Sequence, residues 1–162
     1  MNKCHLRRDS MQNLFKALVV ICFFQMSSVL FAQEYIVNML NSSSRGVMAF
    51  EPSVLAVKVG DSVTFVPKQM GGHNSQSIII PQSAQSWNST YDQSISVNIT
   101  APGVYYYICQ PHMMMGMVGF LIADDDLSNF DLVKEQVYSS VKTWVMNKER
   151  VQADLDIIEN FR

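Results

Sequence analysis

The chain has 162 residues and a formal net charge of −2, which suits one ordinary domain plus a short extra segment. That balance excludes the basic footprint of a nucleic-acid binder and a long acidic tail. It also hides an asymmetry: residues 1–32 carry Lys3, Arg7, Arg8 and Lys16 against Asp9, a net of +3, which leaves −5 on residues 33–162.

Residues 1–32 read as a signal peptide rather than as fold. A basic stretch ending at Lys16 precedes the apolar run Ala17–Phe31, and small Ala32 stands before polar Gln33 and Glu34. The run of 15 residues is short of the roughly 20 that span a bilayer as a helix. Residues 1–10 are long and polar for such a leader, which makes Met11 an alternative start to Met1, and export is implied with either. Its removal takes away Cys4, His5 and Cys22, so the exported chain keeps one cysteine, Cys109, and two histidines, His73 and His112. A single thiol in an oxidising compartment has no internal disulfide partner, and ligation to a metal would employ it.

Residues 33–123 carry short β-type runs separated by turn residues. Strands are predicted over Tyr35–Leu40, Val47–Phe50, Leu55–Val59, Ser62–Val66, Ser77–Ile80, Ser94–Thr100, Val104–Cys109 and Met117–Ile122. Gly60-Asp61, Gly71-Gly72 and Pro102-Gly103 supply turns between them. In Ser94–Thr100, the apolar Ile95, Val97 and Ile99 alternate with polar neighbours, which gives one buried and one wet face. The fold class is therefore mainly β, a sandwich of about eight strands.

Residues 124–162 change period. Phe130, Val133, Val137, Val141, Trp144 and Val145 recur at helical spacing, and Ser128 with Asp131 fits a capping box. A second helix is predicted from Lys148, capped by Asn147, with Val151, Leu155, Ile158 and Phe161 on one side. The two helices are expected to fold back onto one sheet.

The chemistry concentrates in Cys109-Gln110-Pro111-His112-Met113-Met114-Met115-Gly116-Met117-Val118-Gly119. A loop leaving one strand and entering the next can offer a thiolate, an imidazole and a thioether to one point. His73, after Gly71-Gly72, is the second imidazole available. Soft sulfur donors with imidazole suit copper, and a thioether is poorly explained by zinc. Buried cysteines and methionines are ordinarily core residues. The placement of the cysteine and both histidines in two turns is what favours a site.

The run CQPHMMMGMVG, with GGHN, MLNSSSRGVMAFEPSVLAVKVGDSVTFVP and TAPGVYYYICQPH, resembles the pseudoazurins, blue type 1 copper proteins of the cupredoxin family. The likeness covers nearly all of residues 33–162, including the helical tail, and implies a Greek-key β-sandwich with two C-terminal α-helices. It implies one copper ion on His73, Cys109, His112 and axial Met117; an amicyanin-like spacing would select Met115 instead. It also implies that Asn74 ties the two ligand loops and offers an N–H to the sulfur, and that Met48 packs near the exposed ligand ring. Pro111, having no N–H, withholds a further hydrogen bond from that sulfur.

The function implied is one-electron transfer in the periplasm by a monomer that transforms no substrate. A c-type cytochrome or a copper nitrite reductase would be the partner, with no nucleic acid and no membrane contact after the leader is removed. Contact would run through an apolar patch around His112 drawn from Met48, Met70, Met113, Met114 and Met115. The family rings that patch with lysines, and this chain does not. A multicopper enzyme is disfavoured because Ile108 and Gln110, not histidines, flank Cys109. The alternative is a Cu(I) carrier or storage protein using the same Cys, His and Met residues. Asn41, Asn88 and Asn98 begin glycosylation-type triplets, which the Ser and Asn content explains by chance.

Overall fold

The computed structural model describes residues 32–161, so the predicted leader falls, but for Ala32, outside the described residues. Eight strands follow in order: β1 (Glu34–Ser43), β2 (Gly46–Glu51), β3 (Val54–Val57), β4 (Ser62–Pro67), β5 (Gln76–Ile79), β6 (Ile95–Asn98), β7 (Gly103–Ile108) and β8 (Val118–Ala123). Helices α1 (Phe130–Val141) and α2 (Lys148–Glu159) complete the chain.

The strands form two four-stranded sheets, in the orders β2-β1-β4-β6 and β3-β8-β7-β5. Parallel pairing of β1 with β4 and of β3 with β8 joins otherwise antiparallel neighbours. Between the sheets lies a core of Val37, Met39, Phe50, Phe65, Trp87, Tyr105 and Tyr107, into which Cys109 and Met117 also project. Phe50, Phe65 and Tyr107 meet edge to face with centroids 4.9–6.2 Å apart, a preferred geometry for aromatic pairs.

β7 reads Gly-Val-Tyr-Tyr-Tyr-Ile and is buried along its whole length. Alternation explains this. Tyr105 and Tyr107 face the inter-sheet core, while Val104, Tyr106 and Ile108 face α1 and α2. Phe130, Val133, Val137, Val151, Leu155 and Ile158 cover that outer face, so the helical pair packs where expected. A strand buried on both faces needs no polar alternation, hence the continuous apolar run.

Three helical details differ from the expectation. The N-cap of α1 is Asn129 rather than Ser128, and it makes no side-chain cap bond. Its amide instead accepts from the Val104 N–H and donates to the Val104 carbonyl, each at 2.8 Å, which anchors α1 to the start of β7. Trp144 lies beyond the end of α1 yet stays buried, whereas Val145 is 67% exposed. Phe161 is 39% exposed and stands outside the stripe formed by Val151, Leu155 and Ile158, because α2 ends at Glu159.

Candidate metal centre

β7 ends one residue before Cys109, which is fully buried. The chain then makes a 3-10 turn over Gln110–Met115 and re-enters the sheet at β8. Pro111 suits its first turn, where an N–H would have no partner within the turn. Gly116 closes it at φ 72°, a left-handed value that glycine adopts freely. His112 N–H donates to the Cys109 carbonyl at 3.1 Å, and Met117 N–H to that of His112 at 3.2 Å. Cys109 N–H donates to the Met117 carbonyl at 2.9 Å. The backbone thus ties Cys109, His112 and Met117 directly to one another, which accounts for their spacing.

His73 comes from the connection between β4 and β5. The N–H groups of Gly71, Gly72 and His73 converge on the Asp92 carboxylate at 3.3, 2.9 and 3.0 Å, and Asp92 N–H returns to the His73 carbonyl at 2.7 Å. Desolvation pushes the Asp92 carboxyl up, but these three donors outweigh it and hold it below its ordinary value. A lowered carboxyl contributes stability above the unfolded value and loses it as pH falls through the folded one. A Cβ on Gly71 would run into the Asn41 amide oxygen, so close approach demands glycine there.

Asn41 also fixes the His73 tautomer. Its amide nitrogen donates to the Met70 carbonyl at 3.0 Å, so its oxygen, 2.8 Å from His73 Nε2, accepts the ring proton. Nδ1 is left with a free lone pair, as a metal ligand requires. That atom lies 3.7 Å from Cys109 Sγ, and His112 Nδ1 lies 3.3 Å from the same sulfur. The three donor atoms all fall within 4.8 Å of one another, and the imidazole centroids are 4.9 Å apart.

Burial and its neighbour His112 lower the His73 pKa, though Asp92 opposes them; burial also lowers that of His112. Burial pushes the Cys109 thiol up to about 11, against hydrogen bonds from the Asn74 and His112 backbone. Two neutral imidazoles facing a thiol that ionises only with help form a set that a soft cation completes. Among the described residues, no carboxylate oxygen shares this cluster, which fits copper and disfavours hard cations.

Met117 is fully buried in the same apolar cluster as Cys109, whereas Met115 is half-buried and its carbonyl accepts from Asn147 Nδ2 at 2.7 Å. Asn74 joins the loops. Its N–H points at Cys109 Sγ at 3.5 Å and its amide oxygen accepts the Gln110 N–H at 2.7 Å.

A family model for copper-binding proteins of the plastocyanin/azurin family matches residues 37–124. A pseudoazurin of Paracoccus pantotrophus is 35% identical over 127 residues, 77% of this chain and 83% of that one. A pseudoazurin of Methylorubrum extorquens is 38% identical over 105 residues, 64% and 70% of the two chains. The refined crystal structure of pseudoazurin from Methylobacterium extorquens AM1 superposes with a TM-score of 0.64 at 31% identity, covering 80% of this chain and 99% of that one.

The chain belongs to the plastocyanin/azurin family of copper-binding proteins.

With membership come the cupredoxin fold, one copper ion as cofactor and blue-copper electron transfer as the general role. The structure adds cupredoxin site residues that sequence reading did not single out. Asn41 and Asp92 reach His73 across 32 and 19 residues, distances at which local pattern carries no signal. Asp92 itself sits at a left-handed φ of 55°, which aspartate tolerates better than most residues. We expect Asp92→Asn to weaken copper affinity about ten- to a hundredfold, the usual range for partners that orient ligands, as read by competition with a chelator.

The methionines named for the loop surface differ in exposure. Met70 and Met114 are 68% and 49% exposed, while Met113 packs towards the helix-side cluster.

Proposed function

We propose that this protein is a periplasmic one-electron carrier whose copper is held by His73, Cys109 and His112, with Met117 as the axial ligand. The observation that carries the reading is the convergence of one thiol and two imidazoles, from two separate loops, within 4.8 Å of one another. The bound ion supplies the Cu(I)/Cu(II) couple. Asn74 turns its N–H to the thiolate, and Asn41 and Asp92 hold the His73 ring and loop. Because these loops are tied to the sandwich by backbone bonds, the ligands need little rearrangement when the charge changes.

His73, Cys109 and Met117 are fully buried and His112 is half-buried, so His112 is the ligand from which an electron leaves. Met48 is half-buried against the inter-sheet core, consistent with packing near that ring. The exposed Met70 and Met114 give a partner an apolar contact, and small interfaces suffice for redox encounters. A c-type cytochrome or a copper nitrite reductase is the proposed partner of the monomer, and no substrate is transformed. The basic-then-apolar leader, read as residues 1–32 before the sandwich (33–123) and its helical extension (124–162), supports export. Among the described residues, no helix is long and apolar enough to cross a membrane.

Voltammetry of the copper-loaded protein, with rapid mixing against a c-type cytochrome, tests this. A reversible one-electron wave and fast transfer are expected. Cu(I) binding without reversible oxidation would instead indicate a copper carrier, the reading that the exposed Met70 and Met114 would favour. The same measurement on Pro111→Ala should give a higher potential, because a new N–H withdraws density from sulfur; an unchanged or lower potential would count against that role.

A further inference from the structure

Three consecutive carbonyls of the copper loop are gripped from one short segment outside the sandwich. Val145 N–H donates to the Met114 carbonyl at 2.8 Å, and Asn147 Nδ2 to that of Met115 at 2.7 Å. Arg150 Nη2 donates to the Gly116 carbonyl at 2.7 Å. All three donors belong to the connection between the helices or to the first turn of α2. The Gly116 carbonyl belongs to the residue just before Met117, so Arg150 acts next to the axial ligand.

The same guanidinium reaches the other sheet. Nη2 donates to the Met48 carbonyl at 2.6 Å and Nη1 to that of Val47 at 3.0 Å. The β1–β2 ladder pairs Leu40 with Ala49 and Ser42 with Val47 but skips the step between them, where Asn41 and Met48 would meet. Met48 sits there at φ 48°, a left-handed value uncommon for its type. Each partner in this gap is attached to the site instead. Asn41 holds His73, and the Met48 carbonyl is held by the arginine that holds Gly116.

We propose that Arg150, assisted by Asn147, is a positioning residue for the copper site, a fork that locks the Met115–Met117 segment to β2 and so sets where Met117 lies. This rests on the blue-copper reading above. Arginine is the residue for the task, since its planar fork spans several acceptors at once and lysine offers one point. Gly116 lets the segment before α2 come this close, because a Cβ there would press on the Asn147 Cβ and the Met146 carbonyl at 3.0 and 3.2 Å. Asp154, one turn further along α2, stays paired to Arg45 at 2.7 Å and Ser53 at 2.9 Å, so removing the Arg150 fork leaves that carboxylate with partners.

Arg150→Gln tests this by two readouts, with Leu155→Ala as a variant that weakens α2 packing without touching the loop. In the metal-free protein, exchange of the Met117 amide should be about tenfold faster in Arg150→Gln at matched global stability, the factor expected for one lost charge-assisted hydrogen bond. Arg150→Lys should lie between it and the wild type. In the copper-loaded protein, Arg150→Gln should shift the reduction potential and the ratio of the thiolate-to-copper bands, and Leu155→Ala should shift neither. Wild-type exchange in Arg150→Gln, or equal acceleration in Leu155→Ala, would overturn the proposal. A wild-type protein that fails to turn blue would refute the copper reading instead, while the metal-free exchange would still decide the role of Arg150.

Discussion

Cys109→Ala should abolish the blue centre and with it all stabilisation by copper. A ligand that binds the folded state at a thousand times its Kd adds about 4 kcal/mol to stability. For a domain of this size that is roughly 12 °C in unfolding temperature. The wild type should therefore melt about that much higher with copper than without, and Cys109→Ala should show almost no difference between the two. The metal-free variant should lie within about 1 kcal/mol of the metal-free wild type, since the sulfur removed is small although its site is fully buried. Calorimetric scans with and without copper check both points. A variant that kept the copper-dependent rise would place the principal ligand elsewhere.

Arg45→Met should destabilise the fold through a carboxylate it leaves behind. Asp154 is 1% exposed, and its charge is met by Arg45 at 2.7 Å and the Ser53 hydroxyl at 2.9 Å. Burial raises its pKa, against the pull of Arg45, Ser53 and Arg150. Removing one partner of a buried pair costs about 3–5 kcal/mol, and the low end applies because a third of the Arg45 side chain meets water. The pH dependence has a definite sign. A carboxyl whose folded pKa is raised binds its proton more tightly in the native state, so its cost is absent below the unfolded carboxyl range and grows as pH rises through it towards the folded value. Arg45→Met raises that folded value further. Its deficit should thus be largest at neutral pH and shrink on acidification, and in Arg45→Met/Asp154→Leu most of it should disappear. Denaturant titrations at several pH values decide this, and a deficit independent of pH would mean that the ion pair is not its source.

The sandwich was legible because its strands are short, alternating and punctuated, as in Ile95–Asn98, and because the helical stripe from Phe130 to Val137 has its own period. The cluster of His73, Cys109 and His112 was legible by inventory: with residues 1–32 read as a leader and set aside, one thiol and two imidazoles remained, and local backbone bonds enforce the Cys109, His112 and Met117 spacing. What holds that cluster in place was not legible. Asn41, Asp92 and Arg150 are ordinary polar residues in sequence, and they gain meaning from contacts made across 32, 19 and 34 residues. The second helix starts at Lys148 after Asn147 as read, but two other helix ends differ. Asn129 is drawn to Val104 in β7, and α2 stops before Phe161 reaches the sandwich, so tertiary contacts override local capping and period.

The most direct measurement is a copper titration of residues 33–162 followed by visible absorption, in wild type and in His73→Ala. One equivalent should produce an intense thiolate-to-copper band in the wild type, bleached by reductant and restored by reoxidation. His73→Ala should lose it. A colourless complex, or a band indifferent to the ring at residue 73, would contradict the claim that two distant loops share one copper ion.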